Sequence, residues 1–217
     1  MSRTFIFGVD LDGVCGDYTA AFREVVAADR GIDPDELPAE RSWSFREWGI
    51  DTPEEFDRLH RLAVLEHHIF RTMPAMEGAA EVLWRLSDAG VWIRVITHRL
   101  YVNWGHAVAV ADTVAWLDGV GIPYRDICFL GAKPEVDAHC YVDDAAHNID
   151  ALREAGNHVI VYDAPYNQGV EGPRARSWAD VEDLVLQRVA ELGVPLQPPL
   201  PHLDAGVDRL SRRLDHR

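Results

Sequence analysis

Two aspartates one residue apart, Asp10 and Asp12, leave the apolar run Phe5-Ile6-Phe7-Gly8-Val9 and are followed at once by Gly13. In an extended chain residues i and i+2 share a face, so both carboxylates project together while Leu11 points away. Two carboxylates at that spacing repel unless a cation or a shared proton relieves them. Such a pair suits nucleophilic or acid–base chemistry beside a hard cation; a strand leaving the core through a solvated acidic turn is the plainer alternative. Three more groups of chemically capable residues each follow an apolar run: Thr97-His98-Arg99, Lys133 and Asp143-Asp144. Lys133 is the only lysine in the chain; every other basic side chain except histidine is arginine. A compact, rotatable ammonium does what a planar guanidinium cannot, so the lone lysine points to a role, with chance survival as the alternative.

The elements that must position these groups are short apolar strands alternating with helices. Strands are predicted at residues 5–9, 91–97, 127–130, 140–142 and 159–162, and helices over 17–30, 51–67, 78–89, from about 100 to 117 and over 146–155. This alternation indicates an α/β fold, a three-layer Rossmann-like parallel sheet. Ligands in such sheets bind outside the carboxyl ends of the strands, and all four groups fall there. The connection from Cys15 to Met76 is far longer than a parallel crossover needs and reads as an inserted small helical cap. The expected division is therefore an α/β core of residues 1–14 and 77–194, a cap of 15–76, and 195–217 as a proline-rich spacer with a short helix or tail. Leu203, Val207, Leu210 and Leu214 have helical spacing that would dock on the body or form a homodimer, a frayed tail being the other outcome.

Composition excludes several classes. A net charge of −15 with no basic stripe argues against binding a nucleic-acid polymer. No apolar run approaches the roughly 20 residues that span a bilayer, and the N-terminus carries no signal-like segment. Cys15, Cys128 and Cys140 lack zinc-ligand spacing and read as reduced thiols, so a cytoplasmic protein is expected.

Taken together, Asp-x-Asp-Gly-Val, strand-Thr, Lys and Asp-Asp in this order resemble the haloacid-dehalogenase-like phosphohydrolases, over roughly residues 5–162. More narrowly the chain is similar to the cytosolic type of 5'(3')-deoxyribonucleotidase, in Thr113-Val-Ala-Trp116-Leu117, Ile122-Pro123-Tyr124, Tyr141-Val-Asp-Asp, Pro165-Tyr166-Asn167 and Arg176-Ser-Trp178. The resemblance implies a Mg²⁺-dependent phosphomonoesterase acting on a nucleotide. Asp10 would be the nucleophile and Asp12 the general acid and base. Asp10, Asp143 and the Asp12 backbone carbonyl would hold Mg²⁺, with Asp144 orienting a metal-bound water. Thr97 and Lys133 would grip the phosphoryl oxygens, while His98 either touches phosphate or caps the next helix. Arg99 and the aromatics Trp43, Phe45 and Trp48 are candidate substrate contacts; the aromatics either stack on a base or fill the cap's own core. A sugar phosphate as substrate, or a non-catalytic regulator on the same fold, are the alternatives.

Overall fold

The computed structural model describes residues 4–100 and 104–197. In chain order the elements are β1 (Ile6–Val9), α1 (Tyr18–Arg30), α2 (Pro53–Leu65), α3 (Ile69–Thr72), α4 (Ala79–Asp88), β2 (Trp92–Thr97), α5 (His106–Val120), β3 (Asp126–Phe129), β4 (Cys140–Asp143), α6 (Ala146–Glu154), β5 (Val159–Tyr162), β6 (Arg174–Ala175) and α7 (Trp178–Glu191). The strands form one sheet in the order β3-β2-β1-β4-β5-β6, and every pairing is parallel. The order reverses at β1, which pairs with β2 on one side and β4 on the other. A crevice opens at such a reversal beyond the strand ends. The α/β parallel-sheet reading therefore holds.

Period-two alternation sorts the strand side chains into two apolar layers. Phe7, Val9, Ile93, Val95 and Val142 join residues of α4, α5 and α7 in the larger cluster, and Ile96, Tyr141, Val159 and Val161 meet Ile149 and Leu152 of α6 in the smaller one. Gly8 faces the smaller cluster, where a Cβ would lie 2.9 Å from both Ile96 and Tyr141. Absence of a side chain lets those two residues close over β1.

Residues between β1 and α4 form a helical insertion. Asp17 caps α1 by accepting from Ala20 N–H, and Gly31 ends it in the left-handed region. Thr52 caps α2 ahead of Pro53, as the sequence predicts, but α2 stops at Leu65 and the connector contains α3. His68, with φ 51°, breaks between the two helices. Trp116 of α5 donates its indole N–H to the Met73 carbonyl (2.8 Å), which pins the insertion's return to the sheet layer.

Besides α3, two further elements were not predicted. β6 is two residues long, too short for any periodicity to reveal it. α7 carries a capping box, with Ser177 and Asp180 exchanging side-chain-to-backbone bonds, and its Trp178 indole donates to the Val14 carbonyl (3.0 Å). That bond fastens the turn after β1. At the start of the expected spacer, Gln197 N–H donates to the Ala89 carbonyl. The expected C-terminal helix lies outside the described residues.

Candidate active site

β1, β2 and β4 end at one edge and carry Asp10, Thr97 and Asp143 to it. Asp10 N–H still donates to the Val142 carbonyl (3.2 Å), so the first aspartate remains tied to the sheet. Gly13 then turns with φ 83°, and a Cβ there would fall 2.2 Å from an Asp144 oxygen. Only glycine allows both that torsion and that approach. Lys133 comes in on the turn after β3. Its ammonium lies 2.6 Å from Asp10 Oδ1 and 2.5 Å from Asp143 Oδ2. The other Asp143 oxygen accepts from Ala145 N–H (3.0 Å) and from the Asn148 amide (3.3 Å). Asp144 accepts from the Tyr166 hydroxyl. Asn167 holds that loop by donating to the Asp144 and Tyr162 carbonyls (2.8 and 2.7 Å).

Asp10, Asp143 and Asp144 are all buried, and they bring one oxygen each to within 4.8 Å of one another. Lys133 pairs with two of these carboxylates, Asp10 and Asp143, while Asp144 has the Tyr166 hydroxyl. Burial pushes the Asp10 carboxyl well above its usual range; Lys133 opposes that, while Asp143, Asp144 and Asp12 add to it. Burial and Asp143 lift Asp144 to about 7. Burial also works against the Lys133 charge, yet Asp10 and Asp143 outweigh it and hold the amine above its ordinary pKa. A cluster of hard oxygen donors with more negative charge than its single lysine balances fits a divalent cation.

Asp12 is not in that cluster. Its carboxylate takes both forks of Arg99, Oδ2 from Nε (3.0 Å) and Oδ1 from Nη2 (2.7 Å). Thr97 is fully buried and its hydroxyl accepts from Arg99 N–H at 3.4 Å. His98 lines the cavity beside Lys133; burial, with Lys133 adding, lowers its pKa to about 4, so its imidazole is neutral. Cys15 is buried and burial raises its thiol well above the ordinary value, which leaves it a packing residue.

Above the acidic edge is a cavity of about 600 Å³. Its floor includes Asp10, Asp12, Lys133 and Asp144, and its walls come from the insertion, among them Tyr18, Phe45, Phe56, His60 and Phe70. The three candidate aromatics part company here. Trp43 is 51% exposed and meets Tyr166 and His147 edge-on at 5.4 and 5.3 Å across the cavity mouth. Phe45 lines the wall in the left-handed region (φ 58°). Trp48 is 1% exposed, packs on Phe22 and Phe45, donates its indole N–H to the Pro38 carbonyl and is absent from the cavity lining. Of the two readings offered for the cluster, Trp48 takes the core one: a wholly buried indole with its N–H satisfied has no face to offer a ligand.

Three comparisons bear on what this geometry serves. The family model for "5' nucleotidase, deoxy (Pyrimidine), cytosolic type C protein" matches residues 4–191. The chain belongs to this family. It is therefore a phosphoric monoester hydrolase. A protein of Chlorobaculum tepidum named "Putative 5'(3')-deoxyribonucleotidase" is 44% identical over 185 residues, covering 84% of this chain and 91% of that one. Among solved structures, a haloacid dehalogenase-like hydrolase of Streptococcus pneumoniae aligns with a TM-score of 0.58 at 10% identity, over 84% of this chain and 98% of its own. A HAD-superfamily hydrolase of Geobacter sulfurreducens aligns at 0.53 and 16%, over 85% and 97%. These two likenesses bear on the fold alone.

In this nucleotidase-family chain, several cavity residues had no assigned role in the sequence. Arg41 is buried, donates twice to the Thr19 hydroxyl (2.9 and 3.2 Å) and lies over the rings of Phe45 (3.8 Å) and Tyr166 (4.4 Å). The Tyr18 hydroxyl and His60 Nδ1 share a hydrogen bond of 2.8 Å, and burial lowers His60 to about 4. Tyr18 follows the Asp17 helix cap, so its place near the strand exit was available from sequence. Arg41 sits in a polar stretch with no such mark; His60 lies on the predicted helix α2 one turn from Phe56, but nothing in its flanking charges sets it apart.

Proposed function

We propose that this protein is a Mg²⁺-dependent 5'(3')-deoxyribonucleotidase of the cytoplasm that works through an aspartyl-phosphate. The observation carrying this reading is the buried trio Asp10, Asp143 and Asp144 around Lys133, on the floor of a cavity walled by aromatic rings. The family match and the named relative point to the same substrate class.

In this reading residues 15–76 act as a cap over residues 1–14 and 77–194. A carboxylate oxygen of Asp10 attacks phosphorus as the bond to the leaving oxygen breaks, and a proton from Asp12 goes to that oxygen. Asp12 then takes a proton from the water that attacks the aspartyl-phosphate, which frees phosphate and restores Asp10. Lys133 balances charge on the phosphoryl oxygens, and the Thr97 hydroxyl donates a hydrogen bond to one of them. Asp10, Asp143 and the Asp12 backbone carbonyl would hold Mg²⁺, with Asp144 oriented toward a bound water; the ion supplies charge neutralisation at the phosphoryl group when bound. The aromatic walls and Trp43 suit a planar base, since stacking is tolerant of which base it is. The self-association expectation rests on residues 203–214, outside the described chain.

A phosphate-release screen tests this. With Mg²⁺, deoxyribonucleoside monophosphates should turn over at least about tenfold faster than sugar phosphates, a stacking-sized preference. EDTA should abolish the activity and Mg²⁺ restore it. Equal rates for sugar phosphates and nucleotides would remove the nucleotide assignment.

A further inference from the structure

We propose that Arg99 is the positioning residue for Asp12: it fixes the plane of the acid/base carboxylate and does not itself contact the phosphoryl group. This rests on the catalytic roles proposed above. Both Asp12 oxygens accept from one guanidinium, through Nε and Nη2, an arrangement that fixes orientation as well as distance. A carboxylate has about four lone-pair sites. Two go to Arg99, which leaves Asp12 others for a substrate oxygen or a water.

The guanidinium is itself held on every side. Its remaining terminal nitrogen, Nη1, donates to the Thr113 hydroxyl (2.9 Å), and Thr113 donates in turn to the Ala109 carbonyl one turn back in α5 (2.6 Å). Nη2 also approaches the Met73 sulfur at 3.6 Å, and the guanidinium carbon lies 4.2 Å from the centre of the Phe70 ring. Both residues line the cavity, but Arg99 is buried among these partners while Asp12 remains partly exposed. All three nitrogens are thus engaged with Asp12, Thr113 or Met73. By contrast, Lys133 faces Asp10, where the phosphorus must arrive. The two cations therefore divide the work, Lys133 for charge at the reacting centre and Arg99 for the geometry of the proton carrier.

Arg99 also joins two parts of the chain. Phe70 and Met73 belong to the insertion's return path, and Thr113 to α5. Seating of that path and orientation of Asp12 are mechanically one event.

The test uses leaving groups. An alkoxide such as a nucleoside needs a proton to leave, whereas 4-nitrophenolate does not. kcat/KM covers steps only through departure of the leaving group. Arg99→Met, which keeps a stem against Phe70, should lower kcat/KM for a deoxyribonucleoside monophosphate by about 100-fold, within the usual worth of a placed acid. For 4-nitrophenyl phosphate the fall should be under about fivefold, and inhibition by inorganic phosphate should be unchanged. Arg99→Lys should stay near the Met variant, because a point charge cannot reproduce the fork. Thr113→Val removes the anchor without touching Asp12 and should give the same selectivity at smaller size, which serves if Arg99→Met folds poorly.

An equal fall on both esters with weaker phosphate inhibition would overturn the proposal in favour of direct phosphate contact. No change on either ester would overturn it as well, and so would full rescue by lysine. Asp12→Asn separates the two layers of argument. If it shows the ester selectivity and Arg99→Met does not, only the positioning claim fails. If Asp12→Asn shows none, the proposed acid role fails instead.

Discussion

The acidic sheet edge and the aromatic insertion face each other across one cavity, yet they are built on opposite logic. At the edge, electrostatic tension dominates: three buried carboxylates crowd together, one lysine pairs with Asp10 and Asp143, and burial lifts Asp10 and Asp144 above their ordinary range. In the insertion, packing dominates. Phe22, Phe45, Trp48 and Phe56 meet one another at centroid distances of 4.9 to 6.1 Å. The contrast teaches that chemistry costs the edge stability, whereas the insertion's rings stabilise the fold and shape the cavity at the same time. Substitutions should therefore separate activity from stability at the edge and mix them in the insertion.

Asp10→Asn should give the widest separation. Turnover should fall by about 10⁴-fold or more, as expected for loss of a nucleophile. Thermal unfolding should show a Tm equal to or above that of the parent, because one of three crowded charges is gone. A large drop in Tm would mean the cluster stabilises the fold, which erases the contrast.

Lys133→Met attacks the edge from the other side. Removing the shared cation leaves buried carboxylates uncompensated, at about 3–5 kcal/mol, and kcat should fall about 10²- to 10³-fold. Denaturant titrations with and without Mg²⁺ should find this variant stabilised by the ion far more than the parent protein is. Equal ion dependence in both would separate Lys133 from the metal-fitting cluster.

Within the insertion, the two tryptophans provide an internal control. Trp48→Ala should cost about 3–5 kcal/mol of stability, as for any large buried aromatic, with KM little changed in the protein that remains folded. Trp43→Ala should cost under about 1 kcal/mol, since half of the ring is already in solvent. It should nevertheless raise KM for nucleotides about tenfold, the worth of one base stack. A reversed pattern would exchange their roles.

The remaining contrast is in pH dependence. His60 is held at about 4 by burial, against 6.5 unperturbed. The folded protein thus binds that proton less readily than the unfolded chain, so this contribution is complete above pH 6.5 and is lost as pH falls toward 4. Between those values the parent should lose up to about 1.4 kcal/mol per pH unit more than His60→Phe does. Parallel stability curves for the two would contradict a neutral, buried His60.

The same contrast explains what was legible in the sequence. Edge residues announce themselves, because an apolar run ending in Asp-x-Asp-Gly or Asp-Asp places charge at a position that topology fixes. Asp10, Thr97, Lys133 and Asp143 could be gathered on paper for that reason. The pairing of Arg99 with Asp12 could not, because it depends on where α5 puts Thr113 and where the insertion returns Phe70. Nor could Trp43 be told from Trp48: both follow serine or glutamate in a stretch without periodicity, and only tertiary burial parts them. α7 was recoverable from Ser177 and Asp180, whose spacing is a capping box. β6 had no signal to read.

The central claim is that Asp10 is the group that becomes phosphorylated. Mixing the protein with a deoxyribonucleoside monophosphate and Mg²⁺, quenching in acid within the first turnovers and mapping peptides by mass tests it directly. The account predicts an acid-stable, base-labile phosphoryl adduct on the peptide that carries Asp10, and none with Asp10→Asn. An acid-stable adduct on another carboxylate of the cavity such as Asp12 or Asp144, or undiminished turnover by Asp10→Asn, would contradict it.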